Sequence, residues 1–117
     1  NEVVMDAHNA NPVSLTNSVR NFTNISNDNH LLILGDMKEL GNESLNEHQE
    51  ILNLVKGLGF NNVMLVGSEF NKIESGFVSF LNVDELISHI NNNEIRGKKI
   101  LIKGSHSIHL EKLINLL

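Results

Sequence analysis

The sequence predicts a three-layer α/β/α domain built on a mostly parallel sheet of about five to six strands. Three observations lead there. Short apolar runs alternate with longer segments whose apolar residues recur at helical spacing. The run His30-Leu31-Leu32-Ile33-Leu34 is almost continuously apolar, as a strand covered on both faces should be. Polar turns follow the ends of the runs, at Asp6–Ser14, Gly35–Gly41, Gly67-Ser68 and Lys103–Ser107.

Each element has its own signal. Val3–Met5 reads as a buried strand. Pro12 suits the first turn of the following helix and Asn11 its N-cap, with Leu15, Val19 and Phe22 as core stripe. The polar stretch Asn24–Asn29 ends that helix, and His30–Leu34 is the second strand. Ser44 with Glu47 has capping-box spacing, and Ile51, Leu54, Val55 and Leu58 form a buried face. Gly57 and Gly59 supply the stop. Asn62–Val66 is the third strand, a short turn falls within Glu69–Ser75, and Phe77–Phe80 is a short fourth strand. Asn82 and Glu85 make a second capping pair, before Leu86, Ile87 and Ile90. Lys99–Ile102 is the fifth strand, and Leu110, Leu113, Ile114 and Leu117 mark a final amphipathic helix. The order β-α-β-α-β-β-α-β-α implies right-handed parallel crossovers.

The 117 residues suffice for one compact domain. A net charge of −5 and a pI near 5.6 argue against a general nucleic-acid or membrane-surface binder. Without cysteine there is neither a disulfide framework nor a thiolate site, which fits a cytoplasmic protein. No apolar run has the length of a membrane span. The chain opens Asn1-Glu2 directly before a strand, as the tail of a longer polypeptide would.

In a parallel sheet the turns after the strands share one edge, where ligands bind in open α/β folds. Helix N-termini gather there too and attract anions. Asp6 at a strand end suits a ribose diol, or caps its own turn. His8 and Asn9 can contact a nucleotide or close the turn, and Asn11 can do the same or cap the helix. Asp36, Lys38 and Glu39 form a charged loop bracketed by Gly35 and Gly41, which favour a tight turn that presents backbone. Lys103 ends a strand, with Gly104-Ser105 exposing N–H groups behind it. His48 falls near the same edge. With His106 and His109 it matches no metal motif, so all three read as solvated helix histidines. His30, His89 and Arg20 read as surface residues.

These residues carry a family likeness. Asp-Ala-His-Asn-Ala-Asn-Pro-Val-Ser, then Leu-Gly-Asp-Met-Lys-Glu-Leu-Gly with Ser44 and His48, then Ile-Lys-Gly-Ser, resemble the C-terminal domain of the Mur ligases. Within the family they are most similar to the members that add D-alanyl-D-alanine to UDP-N-acetylmuramoyl-tripeptide in peptidoglycan synthesis. The resemblance spans essentially the whole chain. It implies a Rossmann-like domain that closes over ATP and the acceptor in a three-domain enzyme. ATP phosphorylates the precursor carboxylate, and the acceptor amine attacks the acyl phosphate.

By that resemblance Asp6 holds the ATP ribose, and His8, Asn9 and Asn11 surround the nucleotide. Asp36, Lys38, Glu39, Lys103, Gly104 and Ser105 face the reaction centre and the dipeptide. The Mg²⁺ ligands belong to the central domain, and no Gly-Lys-Ser/Thr phosphate loop occurs in this sequence. His8 stands where the family usually has Tyr. Two other readings compete: a folylpolyglutamate- or cyanophycin-type ligase domain, and a receiver-like signalling module. The Gly-Asp-Met-Lys-Glu-Leu-Gly loop speaks against the first. The second needs a phosphoacceptor Asp where Gly67-Ser68 stands.

Overall fold

The structure, a computed structural model, describes residues 1–6, 9–23 and 29–117. Five strands form one sheet: β1 (Glu2–Met5), β2 (His30–Gly35), β3 (Val63–Val66), β4 (Val78–Phe80) and β5 (Lys99–Lys103). Their spatial order is β1-β5-β2-β3-β4, and every pairing is parallel. The helices are α1 (Pro12–Phe22), α2 (Ser44–Gly57), α3 (Ser68–Asn71) and α4 (Val83–Asn92). Short 3₁₀ segments cover Gly41–Glu43, His106–Ile108 and Leu110–Leu116.

The central strand shows how the sequence makes two cores. Side chains alternate across a strand. Leu32 and Leu34 of β2 therefore join Leu15, Val19, Ile51, Leu52 and Val55 beneath α1 and α2. Leu31 and Ile33 join Leu86, Ile90, Leu110 and Leu113 on the opposite face, beneath α4 and the last 3₁₀ segment. Leu32 and Ile33 are fully buried, so an unbroken apolar run was required.

The capping signals resolve differently. Asn11 accepts the Ser14 N–H at 2.9 Å while its own N–H donates to Ser14 Oγ at 3.0 Å, a reciprocal box at the start of α1. Asn82 accepts the Glu85 N–H at 3.0 Å at the start of α4. Ser44, by contrast, is no cap: Glu43 holds that position with no side-chain bond, and the Ser44 hydroxyl donates to Glu69 instead.

Other expectations are corrected. β1 is an edge strand with alternating exposure, because β5 inserts between it and β2. In α2, Leu52 is buried and Leu58 is exposed, since the helix has ended at Gly57. Residues 110–116 wind as 3₁₀ helix and leave Ile114 exposed. His30 is half-buried between the rings of Phe22 and Phe60, and half-buried His89 lies against Phe80.

Candidate functional site

The carboxyl ends of β1, β5 and β2 lie side by side, but their chains leave on opposite faces. β1 and β2 lead to α1 and α2 on one face, and β5 leads to the 3₁₀ segments on the other. Such reversals open a crevice at the sheet edge. Asp6, Asp36 and Lys103 all stand on that rim.

At the β1–β5 side, Met5 pairs with Ile102, which sets Asp6 beside Lys103. Lys103 shares the face of Leu101, so its stem runs under α1 and only 1% of the residue is exposed. Its Nζ donates to Asp6 Oδ2 at 2.6 Å, and the Ser18 hydroxyl of α1 donates to the same oxygen at 3.1 Å. Asp6 keeps 30% of its side chain exposed. Asn9 is exposed, its carbonyl accepting from Ser14 Oγ at 3.3 Å. His8 lies outside the described residues.

The β2–β3 corner is closed. Asp36 is fully buried, and its two oxygens accept the Glu69 N–H at 2.8 Å and the Phe70 N–H at 3.0 Å. The carboxylate thus caps α3 from a neighbouring loop, an orphan-donor solution that also uses its charge. Gly67 makes this possible. Its φ of 129° belongs to glycine, and a Cβ there would sit 2.2 Å from the Asp36 carboxyl carbon. Asp36 therefore corrects the expectation of a ligand-facing carboxylate, because its oxygens are spent on backbone.

His48 is corrected as well. It is buried, not solvated, and accepts the Met37 N–H on Nε2 at 3.0 Å. Nδ1 therefore carries the proton and donates it to the Ser44 carbonyl at 2.7 Å.

The β5 turn completes the rim. The Ser105 N–H donates to the Asp36 carbonyl at 3.0 Å, and Ser105 Oγ accepts the Lys38 N–H at 3.1 Å. Gly104 and Gly35 approach so closely that a Cβ on Gly104 would lie 2.7 Å from the Gly35 Cα. Gly35 thus serves close approach, and the positive φ expected of the loop falls on Glu39 (63°) and Gly41 (55°). Gly104 and Ser105 are a scaffold within the rim, Ser105 being buried.

Lys38 is what this loop presents. Its side chain is 41% exposed, with Nζ 3.7 Å from Asp36 Oδ2. It separates two clefts, one of about 340 Å³ bordered by Ser68, Asn82, Ser107 and Lys112, the other of about 270 Å³ bordered by Glu39, Ser44 and Glu69. Lys72 and Ser44 hold the Glu69 carboxyl below its ordinary value, through hydrogen bonds of 2.6 and 2.7 Å.

Residues 1–106 match the family model described as the glutamate ligase domain of Mur ligases. The chain belongs to the Mur ligase family. It is 35% identical over 121 residues to a UDP-N-acetylmuramoyl-tripeptide–D-alanyl-D-alanine ligase of Rickettsia prowazekii, covering 97% of this chain and 26% of that protein. A ligase of the same name from Buchnera aphidicola is 32% identical, again with 26% of its length covered. The chain spans about a quarter of the curated relatives it matches. Among solved structures, MurF from Acinetobacter baumannii superposes with a TM-score of 0.74 at 27% identity, over 94% of this chain and 26% of that one. MurF from Thermotoga maritima in complex with ADP shares the fold, with a TM-score of 0.75 at 20% identity over 97% of this chain and 27% of that one. Membership in the Mur ligase family sets the receiver-like reading aside.

Sequence reasoning missed two partners in this Mur ligase rim. Ser18 lies one helical turn after the recognised Ser14, so the spacing pointed to it. Glu69 gave no comparable signal, since its partner Ser44 is 25 residues away.

Proposed function

We propose that the chain is the C-terminal domain of an ATP-dependent amide ligase that joins D-alanyl-D-alanine to UDP-N-acetylmuramoyl-tripeptide. The convergence of Asp6, Lys38 and Lys103 on one sheet edge, in a chain of this family, is the observation that carries the reading. In the parent chain, N-terminal and central domains bind the UDP-sugar precursor and the Mg²⁺. Among the described residues no cluster of His, Asp or Glu can hold a metal, so no Mg²⁺ ligand is assigned here. A cytoplasmic location accords with such substrates. No helix among the described residues is long and apolar enough to cross a membrane.

Asp6 suits the nucleotide: its carboxylate is oriented by Lys103 and Ser18 while part of its side chain stays accessible. Asn9 and Asn11 follow in the same turn and are exposed, and by the family resemblance they and His8 surround the nucleotide. The Asn11 carbonyl oxygen is engaged as a cap, which leaves its amide NH₂ for a ligand. Lys38 and Glu39 meet the acceptor at the two clefts, with Lys103, Gly104 and Ser105 shaping the wall behind them. ATP supplies the phosphoryl group that activates the precursor carboxylate. This domain orients the reactants and keeps water from the acyl phosphate.

The test uses the complete polypeptide with ATP, UDP-N-acetylmuramoyl-tripeptide and either D-alanyl-D-alanine or glutamate as acceptor. ADP release dependent on D-alanyl-D-alanine is expected, with Asp6→Asn raising the KM for ATP by about tenfold. Preference for glutamate would favour a folylpolyglutamate- or cyanophycin-type ligase, and an unchanged KM would remove Asp6 from the nucleotide.

A further inference from the structure

We propose that His48 is the positioning residue of the rim: through Met37 it fixes the backbone from Asp36 to Lys38, and so sets where Lys38 meets the acceptor. The inference rests on the ligase reading for its kinetic part and on geometry alone for its structural part.

Three consecutive residues are tied to three different elements. Asp36 is bonded through its carboxylate to the first amides of α3. The Met37 N–H goes to His48 of α2, and the Lys38 N–H goes to Ser105 after β5. Met37 is itself 1% exposed, so its amide has no water to fall back on. Of the three, only Lys38 is exposed, and it reaches out between the two clefts.

His48 is built to hold that bond. The ring is fully buried and meets Phe70 edge-on, with centroids 4.6 Å apart. The Ser44 carbonyl takes the Nδ1 proton, which leaves Nε2 as an acceptor aimed at Met37. Asp36 Oδ1 lies 3.9 Å from Nε2, beyond hydrogen-bond reach. A residue that only filled space would need no defined tautomer. The bonds also form a circuit, since Ser44 Oγ donates to Glu69, whose N–H returns to Asp36.

The experiment compares wild type, His48→Leu and His48→Gln in the complete polypeptide. Leucine fills the space without an acceptor, whereas a glutamine carbonyl can replace Nε2. In His48→Leu, kcat/KM for D-alanyl-D-alanine should fall by about tenfold to a hundredfold, while the KM for ATP stays within about twofold. His48→Gln should recover most of the loss. Segment-resolved hydrogen exchange should show residues 36–39 opening faster in His48→Leu, with 1–6 unchanged. Nitrogen-15 spectra of the wild type should show the neutral Nδ1–H tautomer.

Equal losses in His48→Gln and His48→Leu, or an ATP defect as large as the acceptor defect, would reduce His48 to a core residue and overturn the proposal. So would the opposite tautomer, or unaltered exchange over 36–39. If the wild type ignores D-alanyl-D-alanine, the ligase reading falls. Exchange and tautomer then decide the positioning role by themselves.

Discussion

Two aspartates follow two strands of the same parallel sheet, β1 and β2 on either side of β5, and do opposite work. Asp36 after β2 is sealed, with both carboxylate oxygens spent on the amides that open α3. Asp6 after β1 accepts from buried Lys103 and from Ser18, and part of its side chain remains at the surface. Chemically identical side chains at equivalent strand ends thus become a structural clamp and a candidate ligand contact. The choice lies in what surrounds them: three packed elements around Asp36, and an edge strand beneath Asp6. A polar residue at the carboxyl edge of such a sheet can meet a guest only when part of its side chain stays at the surface, as 30% of the Asp6 side chain does and none of Asp36 does.

The sharpest way to break the comparison is Gly67→Ala. The substitution forces a side chain into a glycine-only backbone region and onto the Asp36 carboxylate. It should cost about 3 kcal/mol or more, read as a lower urea midpoint or as insoluble protein. A midpoint near wild type would show that the corner has more slack than its geometry allows. Asp36→Ala comes next. It strips two buried or part-buried amides of a charged acceptor and should cost about 2–3 kcal/mol. The exchange of residues 68–71 should rise with it. If Asp36→Ala instead left stability intact and abolished acceptor binding alone, the clamp and the ligand contact would change places.

At the other aspartate the two partners should respond unequally. Asp6→Ala leaves a buried ammonium without its carboxylate, and about 1–2 kcal/mol should be lost, less than for a sealed pair because Asp6 is partly solvated. Lys103→Met removes the buried charge and leaves Asp6 in reach of water and Ser18, so its cost should stay within about 1 kcal/mol. Denaturation of both variants and of the double variant measures the coupling. The reverse order of costs would mean that Lys103, not Asp6, faces solvent in the working protein.

Much of this was readable in the chain and some was not. The α/β alternation, the Asn11–Pro12 and Asn82–Glu85 helix starts and the stripe of Leu15, Val19 and Phe22 depend on neighbours a few residues apart, where periodicity and capping chemistry are explicit. The insertion of β5 between β1 and β2 is a long-range event, and it turned the expected buried strand into an edge. The sealing of Asp36 involves partners 33 and 34 residues away, and Lys103 meets Asp6 across 97. Residue type announced charge at these positions but not which charges would be consumed. His48 was misjudged for the same reason: four residues from Ser44 it reads as a helix-surface histidine, and only the fold of the 36–41 loop over it makes it a buried acceptor.

The gentlest test concerns acid. Glu69 touches the sealed corner from outside, through its N–H to Asp36 and its carboxylate to Ser44 and Lys72. Lys72 and then Ser44 lower its pKa in the folded protein. A carboxyl with a depressed folded value adds stability above its unfolded value, and that contribution disappears as pH falls through the folded value. Lys72 is raised by the same bond, so its share is complete below the ordinary lysine range and fades only as pH climbs through the raised value. Between those limits the pair is fully formed. Glu69→Gln should therefore flatten the acid limb of a stability-versus-pH curve: a small loss near neutrality, small because the Lys72 end of the pair is solvated, that vanishes as the pH falls through the folded value of Glu69. The Glu69 carboxylate bonds to Ser44 and Lys72, both on the β2–β3 side of the rim, so nucleotide affinity at the Asp6 side should titrate identically in both proteins. A shared shift would join the two halves of the rim into one electrostatic unit and remove the contrast between them.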